Sequence, residues 1–175
     1  MDVYEAVRSR QSIRAFTDDR VTAGDSGDKP EFGFYPLQLT SPFRERLTDM
    51  GARRYGALGI AADDAQSRAR IRAENWNCFG ASTALFCYLD RDMPPPQWAD
   101  AGMFLQTVML LLRAEKLHSC TQIAWAEYHH TVDAVISPPT DRILFCGMSI
   151  GYANPDSPHP SMPRAPLAEA VTFLE

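Results

Sequence analysis

The sequence is poor in cysteine and histidine, and those it has are not arranged as metal ligands. No CxxC pair occurs, and no histidine stands near a cysteine at the spacing of a zinc site. Adjacent His129 and His130 should point to different sides of a helix or strand, which favours surface histidines over a shared metal. The sequence therefore predicts no metal site and four reduced core cysteines: Cys78, Cys87, Cys120 and Cys146.

An excess of positive charge and a long apolar run are also missing. The net charge is -5 with a pI near 5.3, so no overall field would draw the protein onto nucleic acid or an anionic membrane. The longest apolar stretch, Met103 to Leu112, contains Gln106 and is too short to cross a bilayer. We expect a cytoplasmic protein without a signal peptide, and with neither nucleic acid nor membrane among its partners.

The motifs of several common enzyme classes are absent as well. GxSxG, P-loop and HExxH patterns do not occur, which disfavours the hydrolases and nucleotide-phosphate enzymes that these motifs identify. Apolar residues make up 45% and charged residues 22% of the 175 residues, which is ordinary globular usage. The length predicts a single domain over residues 1–175.

Apolar patterning predicts alternating helices and strands. A long helix over 97–117 carries apolar residues around most of its circumference, so we expect it to be buried on more than one side. The uninterrupted apolar runs 83–89 and 142–149 predict buried strands. Further expectations are a helix over 2–10, a loop over 22–42, helical structure over 42–72 and a short final strand over 170–175.

The segment RSRQSIRAF, residues 8–16, concentrates guanidinium and hydroxyl groups. Arginine offers a planar donor fork that matches phosphate oxygens, and serine hydroxyls add neutral donors around the same anion. The alternative is that these arginines pair with surface carboxylates such as Glu5 or Asp18. A phosphate site and a solvated ion-pair cluster both remain open on the residues alone.

Two other segments have a structural and a functional interpretation. Residues 120–126 read as a connection between elements, packed by Cys120 and Trp125. Trp76, Asn77 and Phe79 could line a pocket, but aromatic residues at this spacing more often belong to the core.

Several segments together resemble the FMN-dependent nitroreductases. The family's N-terminal signature corresponds to RQSIRAF, from Arg10 to Phe16. Residues 79–92 look like the strand before the family's central helix, residues 102–125 like that helix and its flavin-facing loop, and residues 146–160 like the closing strand and the loop after it. These matches occur in the family's order.

The resemblance implies a fold, a cofactor and a set of contacts. The fold is α+β, with a central mixed but mainly antiparallel sheet flanked by helices. The cofactor is FMN, its phosphate held by Arg10, Gln11 and Ser12 with help from Arg164. Main-chain N–H groups would face the flavin N5 and O4 edge from four residues: Thr121, Gln122, Ile123 and Ala124. Donors at that edge stabilise the charge that develops as the flavin accepts a hydride, so no catalytic side chain is implied.

The resemblance also implies an assembly and a reaction. Family members are homodimers, for which helix 97–117 would supply an interface and the C-terminal residues a strand for the partner's sheet. They transfer hydride from NAD(P)H through FMN to nitroaromatic, quinone or similar small acceptors by a ping-pong mechanism.

One family segment has no counterpart after the N-terminal signature. The family's P-S-x-x-N-x-Q-P-W type loop and the elements around it are missing at the junction of Val21 and Thr22. Either the protein carries a deletion there, or the sequence omits residues of its parent. A deletion favours two alternatives to the enzyme: a protein that binds flavin without turnover, or a cofactor-free dimeric remnant.

Overall fold

A computed structural model describes residues 29–154, 156, 165–169 and 171–174. Its helices and strands, in chain order, are α1 (Phe43–Ala57), α2 (Ala65–Ala73), β1 (Thr83–Asp90), α3 (Pro95–Ala114), β2 (His118–Gln122), α4 (His129–Ile136) and β3 (Arg142–Gly151). Short 3-10 turns occupy Cys78–Gly80, Ile123–Tyr128 and Leu167–Glu169. The predicted helix over 2–10 lies outside the described residues.

The chain divides into two compact units. One comprises Met1–Tyr35 and Ala69–Asn154, and the other comprises Pro36–Arg68 and Pro155–Glu175. The expected single domain over 1–175 stays a prediction.

The first unit contains an antiparallel sheet with the strand order β1-β3-β2. Strand β3 is central: Cys146 faces Cys87 of β1, and Gly147 faces Gln122 of β2. Strands β1 and β3 confirm the two predicted apolar strands. The prediction missed β2, because its sequence HSCTQ is polar and the strand depends on a pairing with residues distant in the chain.

Helix α3 covers one face of the sheet. It begins at Pro95, where the missing N–H of proline breaks no hydrogen bond because the first N–H groups of a helix have no acceptor within it. The helix buries one stripe of side chains. They pack with the strands into one core cluster of buried residues: Cys87, Leu105, Val108, Leu112, Cys146 and Met148. Burial raises the pKa of Cys146 to about 12, so this thiol stays neutral, as expected of a core cysteine.

Within this chain α3 is buried on one side, and its expected burial on more than one side stays a prediction that involves a partner chain. Met103 and Leu110 are 62% and 61% exposed, and both lie away from the stripe that contacts the sheet. A single sheet face can cover only one side of a helix, so the remaining apolar side chains stay open within the described residues.

A second core cluster lies around Trp125. It contains Cys78, Ala84, Trp125, Val132 and Leu144, all buried. The 3-10 turn Ile123–Tyr128 and helix α4 thus supply the Trp125 and Val132 side chains that pack with residues of β1 and β3.

The second unit is built on helix α1, none of whose residues is buried. Exposed ion pairs accompany it: Arg53 bonds Asp49 at 2.6 Å one turn earlier, and Arg46 pairs with Glu169. Such surface pairs contribute little to stability. Val171–Leu174 form no strand within this chain. The expected strand was to pair with a partner's sheet, so it stays a prediction.

Two side chains differ from their predicted surroundings. Cys120 is exposed on the edge strand β2, although it was expected in the core. His129 is only 6% exposed, at the first position of α4, and its ring lies 4.1 Å from that of His130. The expected surface position is therefore wrong for His129 and confirmed for His130, and the two rings lie side by side instead of diverging.

The described residues include neither a membrane-spanning helix nor a cluster of metal ligands. No helix there is both long and apolar enough to cross a membrane. In the same part of the chain no group of three or more histidine, cysteine or carboxylate side chains is placed to hold a metal ion.

Candidate functional site

Four of the predicted flavin-contacting residues lie together where β2 ends. Thr121 and Gln122 are the last residues of the strand, and Ile123 and Ala124 begin the following 3-10 turn. The other four, Arg10, Gln11, Ser12 and Arg164, lie outside the described residues. The cluster RSRQSIRAF is therefore not tested by the geometry.

The alternation of the strand separates these four residues by accessibility. Thr121 is exposed, Ile123 is 36% exposed and Ala124 is partly exposed, whereas Gln122 is 3% exposed and points into the protein. A ligand at this edge can therefore contact Thr121, Ile123 and Ala124 but not the Gln122 side chain.

The first amides of the turn have no acceptor within the turn itself. In a 3-10 helix the N–H of residue i+3 bonds the carbonyl of residue i, so the first N–H groups have no acceptor within the helix. In the turn Ile123–Tyr128 these belong to Ile123 and Ala124. Two neighbouring donors therefore follow an edge strand at a partly exposed position.

Gln122 is held at both ends of its side chain. Its Nε2 donates to the main-chain oxygen of Asn75 at 2.8 Å, and its Oε1 accepts a hydrogen bond from the hydroxyl of Ser149. Ser149 is itself buried, at 4% exposed. The carboxamide thus links the end of β2 to β3 and to the loop that precedes β1.

Trp125 anchors the far side of the turn. Its indole is 4% exposed and makes edge contacts with Trp76 at 5.4 Å and Phe86 at 5.2 Å between ring centroids. A Cβ added to Gly147 would lie 3.0 Å from its Nε1 and 3.1 Å from its Cγ. The close approach of this indole to β3 therefore requires a glycine at position 147.

An ion pair ties the turn to helix α2. Nη2 of Arg72 donates to both carboxylate oxygens of Glu127, at 2.8 and 3.0 Å. Because the Arg72 side chain is 64% exposed, the pair adds orientation more than stability.

The loop that precedes β1 has unusual backbone geometry. Cys78 and Phe79 have φ values of +48° and +54°, and Gly80 follows at +77°. Left-handed conformations in non-glycine residues carry strain that the surrounding structure must hold. Burial raises the pKa of the Cys78 thiol, and a hydrogen bond with Ser149 partly offsets that effect, so the loop is attached to the same serine as Gln122.

Trp76 and Phe79, which could belong either to a pocket or to the core, differ in their surroundings. Trp76 packs against the Trp125 cluster, as a core residue would. Phe79 is 41% exposed, because the left-handed backbone at this position turns it outward.

Sequence reasoning missed the residues that support the turn: Asn75, Gly147 and Ser149. One signal was available, since Gly147 interrupts an otherwise apolar strand, and glycine there indicates a close approach of another group. Asn75 and Ser149 carried no comparable signal.

A second polar cluster lies at the start of β3, five residues before Gly147. Arg91 pairs with Glu31, and Arg142 bonds Asp90 at 2.8 Å. Both guanidinium groups adjoin a cavity of about 280 Å³. Because carboxylates already engage these cations, the cluster is a weaker candidate for an anionic ligand than the amides of the turn.

Similar proteins are found both by sequence and by structure, although no protein-family model matches the chain. A 4-nitrobenzoate reductase of Nocardioides sp. (strain LMS-CY) is 33% identical over 170 residues, which cover 92% of this chain and 68% of that protein. A nitrobenzene nitroreductase of Ectopseudomonas oleovorans is 29% identical over 168 residues, covering 95% of this chain and 74% of that protein.

A solved structure supports the same assignment. The crystal structure of the FMN and NADPH-dependent nitroreductase NfnB from Sphigopyxis sp. strain HMH superposes with a TM-score of 0.81 and 33% identity, covering 100% of both chains. This likeness confirms the predicted α+β nitroreductase-like fold. By sequence and by structure, the chain belongs to the FMN-dependent nitroreductase family.

Proposed function

We propose that this protein is an FMN-dependent oxidoreductase that passes hydride from NAD(P)H through FMN to nitroaromatic, quinone or similar small acceptors by a ping-pong mechanism. The observation that supports the proposal most directly is the pair of amides at Ile123 and Ala124, which have no acceptor within their turn and belong to residues that are not buried, in a chain of the nitroreductase family. The named relatives, which include a 4-nitrobenzoate reductase and an FMN and NADPH-dependent nitroreductase, support the substrate class and the cofactor.

The described residues fit a flavin at this edge. The donors are main-chain N–H groups, which suit the N5 and O4 atoms of an isoalloxazine ring, and they belong to residues that are not buried. Thr121, Ile123 and Ala124 can face such a ring, and Gln122 can contribute only its main chain. For the phosphate we propose Arg10, Gln11, Ser12 and Arg164.

The contribution of the chain is binding and charge stabilisation. Bound FMN would accept and donate the hydride, and no acid–base side chain is needed for that step. The amides of Ile123 and Ala124 stabilise negative charge where it develops, and their fixed position avoids reorganisation during the reaction. The indole of Trp125 and the Arg72–Glu127 pair hold the turn in place.

We propose a cytoplasmic homodimer in which α3 contributes to the interface. Its open face carries Met103, Thr107 and Leu110, which are spaced to lie along one side of the helix. Exposed apolar stripes of this kind favour association between protein chains. Sedimentation velocity of the purified protein measures the assembly, and a monomer at every concentration would contradict this proposal.

The first test of the function is the visible spectrum of the purified protein before and after addition of FMN and removal of the excess. We expect a flavin spectrum at about one FMN per chain. Arg10→Ala should weaken FMN binding by about tenfold or more, since it removes a charge-assisted bond to phosphate. Arg8→Ala, which changes a neighbouring arginine outside the proposed phosphate set, is the matched control.

A colourless protein that cannot be reconstituted would contradict the enzyme and favour a cofactor-free member of the family. Flavin that stays bound while NAD(P)H is not oxidised in the presence of an acceptor would favour the flavin-sequestering alternative. The chain aligns with 68% and 74% of the lengths of the two relatives named above. The segment without a counterpart after Val21 is the reason for testing flavin binding and turnover separately.

A further inference from the structure

Gln122 is an unexpected residue for its position. It lies on the inward face of β2, where the alternation of a strand calls for an apolar side chain, and it is only 3% exposed. A buried carboxamide stabilises a fold only when its donor and acceptor are both satisfied. Here both are, by Asn75 on one side and Ser149 on the other.

We propose that Gln122 is a positioning residue, whose carboxamide fixes the main chain where the proposed flavin-facing amides begin. This role rests on the proposed function. Gln122 directly precedes Ile123, and its extended backbone, with φ -133° and ψ 90°, sets the direction in which the turn leaves the strand. With both ends of its side chain bonded, the residue cannot rotate without breaking at least one hydrogen bond.

The same network holds the strained loop that precedes β1. Nε2 of Gln122 bonds the main chain of Asn75, the side chain of Asn75 donates to the carbonyl of Arg72 at 2.8 Å, and Ser149 also bonds Cys78. A single polar cluster therefore positions the turn and the loop together. An apolar residue at position 122 could fill the space but would leave Asn75 and Ser149 unsatisfied. Departures from apolar packing of this kind are expected at functional sites.

The test compares two variants that weaken this network with a control. Ser149→Ala removes the donor to Gln122 and leaves the proposed flavin-facing residues intact. Tyr88→Phe is the matched control, because it also removes one hydroxyl, which donates to Asp133 at 2.7 Å instead of to Gln122. Gln122→Met, which retains the length of the side chain and removes both hydrogen bonds, is the second variant.

Three quantities are measured: the FMN dissociation constant, the midpoint potential of bound FMN, and amide hydrogen exchange over 123–128 in the apoprotein. For Ser149→Ala we expect about tenfold weaker FMN binding and faster exchange over 123–128. Loss of donor alignment at N5 should weaken binding of reduced FMN a further tenfold relative to oxidised FMN, which lowers the two-electron potential by about 30 mV. Tyr88→Phe should leave all three within twofold of the wild type.

The outcomes separate this inference from the function on which it rests. A wild-type protein that binds no FMN overturns both. A wild type that binds FMN, with Ser149→Ala behaving like Tyr88→Phe, overturns the positioning role alone. Should Gln122→Met fail to fold, Ser149→Ala decides the question, since a purely structural role would lower its melting temperature without moving the potential.

Discussion

Replacing Ile123 with proline should abolish most hydride transfer while leaving the fold intact. Proline removes the N–H that we propose to face the flavin, and loss of one such donor typically costs a hundredfold or more in rate. Position 123 tolerates proline, because it is the first residue of a helical turn and Gln122 before it is extended. The measurement is the rate of FMN reduction by NADPH in rapid-mixing experiments.

Ile123→Ala is the control, since it removes the exposed side chain and keeps the amide. We expect this variant to reduce FMN within a few-fold of the wild-type rate. Equal rates for Ile123→Pro and the wild type would show that the amide takes no part in the chemistry. A lower melting temperature for the proline variant would instead indicate that the turn was disturbed.

Gly147→Ala should destabilise the protein and weaken FMN binding together. A Cβ at this position meets the buried indole of Trp125, which has no room to move because Trp76 and Phe86 contact its other sides. Overpacking of this kind costs about 1–3 kcal/mol. Because Trp125 belongs to the turn Ile123–Tyr128, its displacement also shifts the proposed flavin-facing amides.

Chemical denaturation gives the free energy of unfolding, and FMN fluorescence quenching gives the affinity. Gly51→Ala is the matched control: it adds the same methyl group inside helix α1, where nothing lies within 4 Å. We expect that variant to be as stable as the wild type or slightly more so. If Gly147→Ala matches it in both measurements, the contact with Trp125 does not constrain the site.

The elements that sequence reasoning predicted are those with a strong local signal. Strands β1 and β3 are uninterrupted apolar runs, and helix α3 carries apolar residues with a helical period, so each follows from its own residues. Strand β2 has no such signal, because HSCTQ becomes a strand only through its pairing with β3. The burial of His129 was missed for the same reason, since it depends on packing rather than on the local pattern.

The candidate site also has one part that sequence reasoning found and one part that it missed. The family resemblance singled out Thr121 to Ala124, and the structure places them at the end of an edge strand. The resemblance did not predict the contacts that support this site, because Gln122 bonds Asn75 and Ser149, which lie 47 and 27 positions away in the chain.

The family, the two apolar strands and the long helix follow from the sequence alone, since motifs and apolar periods are properties of neighbouring residues. The contact of Thr121 to Ala124 with a flavin stays a prediction. Which of these four residues are accessible depends on the tertiary structure. It turned Gln122 inward and left Ile123 at the surface, because a β2–β3 pairing register fixes which side chains point to the core. It also brought Trp125 against Gly147, a contact that exists only once the strands have paired.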